Sequence, residues 1–486
     1  MRLTDLLTVV VGLSGQYAFA LNVDVESSDS LKKTASSLAK GVLSYYDVDT
    51  PGGAAGVLPD PYYWWEGGVV FNALIDYWYY TGDDTHNDIV REALLHQVGD
   101  DNNFMPANQS KSLGNDDQGY WALAAMTAAE FDFPNPDSKA PRWIDLAKGV
   151  FDSQVPRWFD ETCGGGMKWQ IYSFNVGYTY KSSSAAGTFF QLAARLARFT
   201  GNETYSDWAS KTWTWMETVG LMDEFKIYHG TDEQGNCSYI NRLQWSADTG
   251  LFLGGAAHMY SLEKPADKQS PSDAAKTWQS RTESLVNIVD SLFAKNNNVL
   301  TEVACEGNGK CNVDQKAFKG ILARALGATR VLDSGTQDKI TPILRDSAKA
   351  AARECEGDDD GKKQMECDLV WEKDDGDDSD DDDDDDDAKL RRDDHHNEGL
   401  GEVLSALQVV QANLAGSVKE PGTADTTKTT TDGKGGNDDG DDDDATPSST
   451  GSAPNSTDSN AAVGGMEVSM LVGLMGAAAA VLGQFL

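Results

Sequence analysis

The feature that most limits the fold of this chain is a helix boundary that occurs twice. Residues 80–88 (YTGDDTHND) resemble residues 199–207 (FTGNETYSD). In each segment an apolar helical pattern ends at Thr-Gly, where glycine commonly stops a helix, and a second helix is predicted a few residues later. Repeated helical hairpins bury their apolar faces by stacking on one another. The repeat therefore predicts an all-α fold, a toroid of helical hairpins.

The rest of the central region has the same helical character. Apolar residues recur at intervals of three and four over residues 69–78 and 189–199, and extended β alternation is scarce. A third helix pair is predicted to begin near residues 248–260, where Gly254-Gly255 indicates close helix packing. Residues 399–414 have the pattern of a closing helix. We assign these segments to one domain, residues 22–416.

Both ends of the chain carry the pattern of a targeting signal. Residues 1–20 have a basic start, a short apolar stretch and Ala18-Phe19-Ala20, which predicts a secretory leader cleaved after Ala20. Small residues at 460–462 precede a short spacer and the charge-free segment 468–486, which is typical of a glycosylphosphatidylinositol (GPI) attachment signal. A transmembrane helix is the alternative, because the length suffices.

The C-terminal pattern predicts three further features. Residues 417–460, rich in Thr, Ser, Gly and Asp, form a low-complexity stalk, Asn460 is the attachment site, and residues 461–486 are removed. With the leader, this predicts passage through the secretory pathway to the outer face of the plasma membrane and the cell wall.

The cysteines and glycosylation sequons fit an exported protein. Disulfides persist in oxidising compartments, and six cysteines allow fifteen pairings. Closeness in sequence favours Cys305–Cys311 and Cys355–Cys367. No cysteine pair has the spacing of a zinc site, so we predict neither a metal nor a cofactor. The predicted N-glycosylation sites are Asn108, Asn202, Asn236 and Asn455.

The formal charge of −38 is unevenly distributed. Residues 372–394 contain fifteen acidic and four basic residues, a composition that predicts a disordered, solvated insertion before the closing helix. The spacing of an EF-hand calcium loop is absent. The acidity also argues against a nucleic-acid partner, which requires a basic face. We expect a monomer.

Two adjacent aspartates lie directly before an apolar helical run. The sequence there is Asn115-Asp116-Asp117-Gln118. Such residues are preferred helix N-caps, so capping is one interpretation. Paired carboxylates are also what hydrolysis of a glycosidic bond requires. Adjacent residues in a helix point about 100° apart, so both serve one sugar only at a helix terminus that faces a pocket. Gly114 and Asn115 predict that position.

Aromatic residues with polar neighbours are candidates for a sugar-binding groove. Trp65 precedes Glu66, Trp169 precedes Gln170, and Trp121 follows the aspartate pair. The apolar faces of sugar rings suit flat aromatic side chains, and polar groups read the hydroxyls. Burial in the barrel core is the alternative for each ring.

Several segments together resemble glycoside hydrolase family 76, and more closely its fungal GPI-anchored members. They are residues 63–68 (YWWEGG), 114–130, 163–170 (CGGGMKWQ) and 189–205. The resemblance implies an (α/α)6 barrel and a retaining attack on the α-1,6-linked mannose of mannan or of the GPI-core glycan. It implies that Asp116 is the nucleophile and Asp117 the general acid/base. The candidate substrate-binding residues are Trp65, Glu66, Asn115, Gln118, Trp121, Trp169, Gln170 and Lys181.

The chain departs from the pattern of the fungal members at four positions. Ser182 and Ala186 replace two asparagines, and Trp245-Ser246 replaces a Tyr-Asn pair. A site that loses polar contacts loses discrimination between substrates. The first hypothesis is therefore an enzyme, a mannosidase or transglycosidase. The alternative is a non-catalytic glycan-binding wall protein of the same fold. A purely structural role would leave the aspartate pair unexplained. Hydrolysis and transfer share one covalent intermediate, and the sequence leaves both open.

Overall fold

Twelve α-helices make up most of the part of the chain that the structure describes. The computed structural model describes residues 19–48, 53–109, 112–135, 139–265, 270–357, 364–371 and 399–424. The helices are α1 (Ser28–Leu43), α2 (Trp64–Thr81), α3 (Asn87–His96), α4 (Asn115–Glu130), α5 (Trp143–Gln154), α6 (Ser183–Thr200), α7 (Glu203–Val219), α8 (Ser246–Glu263), α9 (Asp273–Ile288), α10 (Phe318–Leu332), α11 (Gln337–Arg353) and α12 (Leu400–Ala412).

The even-numbered helices form a closed inner ring. Each packs against the next, and α12 packs against α2. The odd-numbered helices lie outside: α3, α5, α7 and α9 pack on the inner helix that precedes them, and α1 and α11 pack on α12. This arrangement is an (α/α)6 barrel, and it confirms the predicted fold class.

Burial distinguishes the two layers. Fourteen of the sixteen residues of inner helix α4 are buried, against seven of the sixteen in outer helix α1. A helix buried all round belongs in the middle of a core, whereas an amphipathic helix covers one. The predicted close packing at Gly255 is confirmed, because a Cβ placed there would lie 2.3 Å from the ring of Phe190.

The Thr-Gly helix ends predicted from the repeat are present. Gly82 ends α2 and Gly201 ends α6, each in the left-handed conformation, with φ of 79° and 69°. In each case the threonine hydroxyl donates a hydrogen bond to the carbonyl four residues earlier. Glycine adopts this conformation without the steric cost that a Cβ would bring.

All six inner helices run in the same direction, since an outer helix returns the chain after each one. Their N-termini therefore lie together at one end of the barrel, here called the open end. Hydrogen bonds join neighbouring starts: the Tyr62 hydroxyl, before α2, accepts from the Leu400 amide of α12, and Ser184 of α6 donates to Asp116 of α4. Six helix N-termini place their partial positive charges at this end.

The C-termini of the inner helices lie at the other end, which the chain itself covers after α12. The Gly422 amide donates to the Glu130 carbonyl at 2.8 Å, the Tyr79 hydroxyl donates to the Lys419 carbonyl, and Arg198 donates to the Gly422 carbonyl. This is the closed end. These contacts extend past residue 416, where we had placed the domain boundary.

Buried charged residues lie inside the closed end. Arg195 and Glu130 form an ion pair at 2.7 Å with side chains 3% and 1% exposed, and Arg324 pairs with Asp76 at 2.6 Å. Burial by itself would raise the pKa of Glu130, but the charge and hydrogen bonds of Arg195, with the charges of His258 and Arg198, together outweigh it and hold this pKa below its usual value. The Nε2 atom of His258 lies 3.7 Å from the Glu130 carboxylate.

Three disulfides link the loops. Cys305–Cys311 and Cys355–Cys367 are the two pairs favoured by their closeness in sequence, and both predictions are confirmed. The third, Cys163–Cys237, joins residues 74 positions apart. It ties the loop after α5 to the loop at residues 233–239.

Strands are few and short, as the scarcity of β alternation predicted. In the described ranges they are β1 (Phe19–Ala20), β2 (Tyr180–Ser182), β3 (Met222–Asp223), β4 (Lys226–Ile227), β5 (Gly230–Asp232), β6 (Ile240–Asn241), β7 (Cys355–Gly357) and β8 (Glu366–Cys367). All pair antiparallel, as β1–β7–β8, β2–β5–β6 and β3–β4. In the second sheet Lys181 lies opposite Thr231. That sheet leads directly into α6 at the open end.

Other predicted features lie outside the described residues. They are residues 1–18 of the leader, the acidic insertion, Asn455, Asn460 and the C-terminal signal. Among the helices that the structure describes, none combines the length and the apolar character needed to cross a bilayer.

Candidate active site

The aspartate pair begins helix α4 at the open end of the barrel. Gly114 is the N-cap in an extended conformation, and its amide donates to Oδ2 of Asp117 at 2.6 Å. Asp117 therefore satisfies a backbone donor at the helix start, as the capping interpretation predicted. Asp116 is 8% exposed. Both carboxyls lie at a helix terminus, the position that a shared pocket requires.

Asp116 accepts two hydrogen bonds. The Ser184 hydroxyl at the start of α6 donates to its Oδ2, and the Asp117 amide donates to its Oδ1 at 3.1 Å. Burial raises the pKa of Asp116 to about 6, and the hydrogen bonds from Ser184 and from the Asp117 amide oppose that rise. A carboxyl with such a pKa is mostly ionised at neutral pH.

Asp117 is protonated more readily than its neighbour. Burial raises the pKa of Asp117 well above its usual value, the charge of Asp116 raises it further, and the hydrogen bond from Gly114 lowers it. Two close carboxyls share their protons as a pair, and the environment determines which one keeps the proton. Here Asp116 is the better anion and Asp117 the better acid.

Two further carboxyls act on Tyr120, which lies one helical turn after Asp116. Burial raises the pKa of the Tyr120 hydroxyl well above its usual value, and the charges of four carboxyls raise it further. The four belong to Asp116, Asp117, Asp248 and Asp314. In the described ranges, no group of three or more His, Cys, Asp or Glu side chains is arranged to hold a metal ion.

An open pocket lies beside Asp117. Its lining includes Tyr63, Trp64, Trp65, Leu113, Asp117 and Asp314. The Trp65 indole donates to Oδ1 of Asp314 at 2.9 Å, and its ring lies against Tyr120 with centroids 4.9 Å apart. The pocket thus combines an acid with an aromatic wall, as a sugar site requires. Trp65 lines this pocket and remains a candidate for sugar contact.

Glu66 does not face this pocket. Its side chain is fully buried, and Oε2 accepts from the Tyr63 amide at 2.7 Å, so it caps α2. Burial raises its pKa well above the usual value. Its assignment to substrate binding is withdrawn, because a residue in the first turn of a helix that bonds back to the cap is turned toward its own backbone.

The polar neighbours of the aspartates are also structural. The Gln118 amide donates to the Asn103 carbonyl and to Ser153, and its carbonyl accepts from Arg157. The Asn115 side chain donates to the Lys168 carbonyl at 2.9 Å. Gln118 lies two residues after Asp116, which turns its side chain about 200° away around the helix. The Gln118 amide is engaged at both ends within the protein, which corrects its assignment. The buried Oδ1 atom of Asn115 has no hydrogen-bond partner among the described residues, so the assignment of Asn115 stays a prediction.

Trp121 and Lys181 are corrected for the same reason. Trp121 is fully buried, stacks on Trp64 at 5.2 Å and donates to its carbonyl. Lys181 is also fully buried, and its ammonium donates to the carbonyls of the loop that carries Cys163. Those carbonyls belong to Phe159, Thr162 and Gly165. Lys181 braces that loop, because a buried ammonium needs acceptors for its protons.

Trp169 and Gln170 lie beside the aspartate pair through their backbone. The Asn115 amide donates to the Trp169 carbonyl at 2.8 Å, and Gly114 forms a β-bridge with Gln170. The partly exposed Trp169 ring packs on Gly177, where a Cβ would lie 2.4 Å away. The Gln170 side chain accepts from Asn175 and holds the following loop. Trp169 remains a candidate for sugar contact, whereas Gln170 positions a loop.

The positions that differ from the fungal pattern make contacts within the protein. Ser182 caps α6 by accepting from the Ala185 amide, and Ala186 is buried. Ser246 donates through both its amide and its hydroxyl to the buried carboxyl of Glu302. These side chains support the starts of α6 and α8 beneath the site.

Three functional candidates at the open end were missed from the sequence. Ser184, Asp248 and Asp314 all lie far from the aspartate pair along the chain. Only the closed ring of helices brings them together. The first three predicted glycosylation sites, Asn108, Asn202 and Asn236, are all exposed.

Comparison with known proteins gives consistent matches. The model of glycosyl hydrolase family 76 matches residues 30–425. The mannan endo-1,6-alpha-mannosidase DCW1 of Candida glabrata is 39% identical over 413 residues, which cover 84% of this chain and 85% of that protein. The mannan endo-1,6-alpha-mannosidase DFG5 of Saccharomyces cerevisiae is 34% identical, with 81% and 80% covered.

Solved structures agree. Dfg5 from Chaetomium thermophilum in complex with glucosamine superposes with a TM-score of 0.73 at 35% identity, covering 83% of this chain and 94% of that one. An inactive variant of the alpha-1,6-mannanase GH76A of Salegentibacter, with two aspartates replaced and alpha-1,6-mannotetrose bound, gives 0.58 at 14% identity, with 79% and 98% covered. The second likeness concerns the fold alone.

Proposed function

This chain belongs to glycoside hydrolase family 76, and from that premise we propose that it is a retaining enzyme that cleaves or transfers α-1,6-linked mannose. The observation that carries the proposal is the asymmetry of the aspartate pair. Asp116 accepts from Ser184 and favours the anion, whereas burial and the charge of Asp116 keep the proton on Asp117. A retaining glycosidase needs one carboxylate and one carboxylic acid at the same bond.

The mechanism follows from these two protonation states. The Asp116 carboxylate attacks the anomeric carbon while Asp117 donates its proton to the departing oxygen, and a glycosyl ester forms on Asp116. Asp117, now ionised, takes a proton from water or from a sugar hydroxyl, which attacks the same carbon and releases Asp116. Water gives hydrolysis, and a sugar hydroxyl gives transfer.

The charge of the cleft bears on the substrate. The Asp116 carboxylate lies near Asp248, and Asp314 lies on the Asp117 side of the cleft, which gives an acidic environment that attracts a cationic group. A GPI-core glycan carries such a group on its glucosamine, and glucosamine is the sugar bound to the Chaetomium relative. We therefore favour a mannose-containing glycan that also bears an amine, with the mannan backbone as the second substrate.

The location is proposed from the sequence. The leader and the C-terminal signal favour attachment through a GPI anchor at Asn460, on the outer face of the plasma membrane. There a mannosidase or transglycosidase would act in cell-wall biogenesis. The chain is proposed to act as a monomer.

A product assay tests the function directly. Secreted full-length protein is incubated with α-1,6-mannotetraose, with and without an acceptor oligosaccharide, and the products are identified by mass spectrometry. We expect shortened chains, and lengthened or acceptor-linked chains if transfer dominates. Binding without any product would favour the non-catalytic glycan-binding alternative.

Activity should depend on pH in a bell-shaped manner. The acid limb of kcat/KM should fall near pH 6, because protonation of Asp116 removes the nucleophile. The alkaline limb should fall at higher pH, because Asp117 loses its proton there. Rates measured from pH 4 to 9 check this. Asp117→Asn should lose the alkaline limb, and an unchanged alkaline limb in that variant would contradict the assignment.

A further inference from the structure

A second polar pair lies at the open end and has no part in the mechanism above. Asp248, in the first turn of α8, is 2% exposed. Its Oδ2 atom lies 3.9 Å from Nδ1 of His229, and among the described residues neither atom has a hydrogen-bond partner. A buried carboxylate oxygen without a partner is costly. Such an atom indicates a group that the free protein does not supply.

The pair lies beside Asp116. The His229 carbonyl accepts from the Ser183 amide at 2.9 Å, and the next residue, Ser184, donates its hydroxyl to Asp116. The charge of Asp248 also raises the pKa of Asp116. Asp314 and Trp65 form the wall on the Asp117 side, so the open end has a polar wall next to each catalytic aspartate.

His229 is held in one orientation. Its amide donates to the Leu243 carbonyl at 2.9 Å, and its ring lies between Tyr180 and Trp245, with centroids 5.7 Å and 6.2 Å away. The side chain is 36% exposed, whereas that of Asp248 is 4% exposed. Nδ1 of His229 and Oδ2 of Asp248 are themselves buried in the free protein, so a group that binds both atoms must enter between the two side chains from the exposed side of His229. Trp245, one of the departures from the fungal pattern, helps to position the ring.

The separation of the two atoms identifies the missing group. At 3.9 Å they are too far apart for a direct hydrogen bond. An oxygen atom about 2.8 Å from each would accept from the imidazole N–H and donate to the carboxylate. A hydroxyl group does both, and a sugar offers hydroxyls at every ring position. In the free protein a water molecule can serve as the substitute.

We propose that Asp248 and His229 together bind one hydroxyl of the sugar whose anomeric carbon Asp116 attacks. The inference rests on the proposed function and makes it more specific, because it assigns two specificity-determining residues to the mannosyl unit. Since both residues bind the same oxygen, removing either one breaks the same contact.

The test is a double-mutant cycle on the full-length secreted chain. Asp248→Asn, His229→Gln and the double variant are compared in kcat/KM, and in affinity for α-1,6-mannotetraose in an Asp117→Asn background, in which turnover is slow. Each single change should weaken binding about 10- to 100-fold, the usual range for a hydrogen bond to a charged group. The affinity of the double variant should be no more than about threefold lower than that of the single variant that binds more weakly. His96→Gln and Asp207→Asn, both exposed, serve as controls.

Each outcome decides between the two proposals. If the losses multiply in the double variant, or if the single variants bind within threefold of wild type, the proposed hydroxyl site is wrong while the mannosidase proposal stands. If binding depends on Asp248 and His229 but no turnover occurs, the mannosidase proposal is wrong and the hydroxyl site stands. A wild-type chain that neither binds nor converts the sugar overturns both. If a variant fails to fold, the NMR resonance of the His229 imidazole in the wild-type protein decides. Saturating sugar must shift this resonance if His229 binds the sugar, and an unshifted resonance overturns the proposed site.

Discussion

Replacing Asp116 with asparagine should lower kcat/KM on α-1,6-mannooligosaccharides by at least about 10⁴-fold, because a neutral amide cannot form the glycosyl ester. Asp117→Asn should lower it by about 10²- to 10⁴-fold, the usual contribution of a general acid. Both variants should keep the fold, since asparagine also caps a helix start well. Product formation per folded molecule, with folding checked by circular dichroism, measures the effect.

The two losses should differ in how they can be repaired. A mannoside with a good leaving group needs no proton, so Asp117→Asn should recover its first step on that substrate, and azide should then give the product with retained configuration. Asp116→Asn should give, at most, azide product of inverted configuration. The reverse pattern would exchange the two roles. Asp145→Asn, on the exposed face of α5, is the control and should act like wild type.

The second large effect concerns stability. Glu130→Gln should lower the free energy of unfolding by about 3–5 kcal/mol, because it leaves the buried Arg195 without its partner. The hydrogen bonds from Arg195 to Glu130 lie in the core at the closed end, away from the substrate cleft. Urea denaturation of both proteins at pH 7 gives the difference. The folded variant should keep its KM.

The matched control is an ion pair at the surface. Arg142 and Asp145 are 2.8 Å apart, with side chains 67% and 42% exposed, so Asp145→Asn should cost less than about 1 kcal/mol. The pH dependence has a definite sign. The lowered pKa of Glu130 contributes stability above the carboxyl's unfolded pKa, and this contribution is lost as the pH falls through the folded value. A Glu130→Gln variant as stable as wild type at pH 7 would show that the pair contributes nothing.

The sequence was sufficient to predict features that depend on local patterns. Thr-Gly at residues 81–82 and 200–201 predicted helix ends, and closeness predicted two of the disulfides, because short-range geometry governs both. The repeat predicted a ring of helical hairpins, and the family resemblance implied that the hairpins number six. The aspartates were identifiable as a pair because two carboxyls at a helix start suggest either a cap or a catalytic site.

The residues that line the pocket were harder to predict, because side chains that are close in sequence can point to different sides of a helix. Gln118 and Trp121 follow the aspartates closely, yet the helix turns their side chains into the protein. Lys181 was predicted to contact the sugar, but its ammonium is buried and donates hydrogen bonds to backbone carbonyls. Asp248 and Asp314 arrive from distant helices through the closure of the ring, and no short motif records that closure.

The path of the chain across the closed end has a consequence for how the protein is presented on a surface. The described tail passes Gly422 at the face opposite the aspartates, where it bonds to Glu130 and Arg198. A molecule held through its closed end therefore points its open end, with the aspartate pair, outward and away from its support. For the same reason the C-terminal side is the suitable point for immobilising the protein on a sensor, because the open end stays accessible to long glycans.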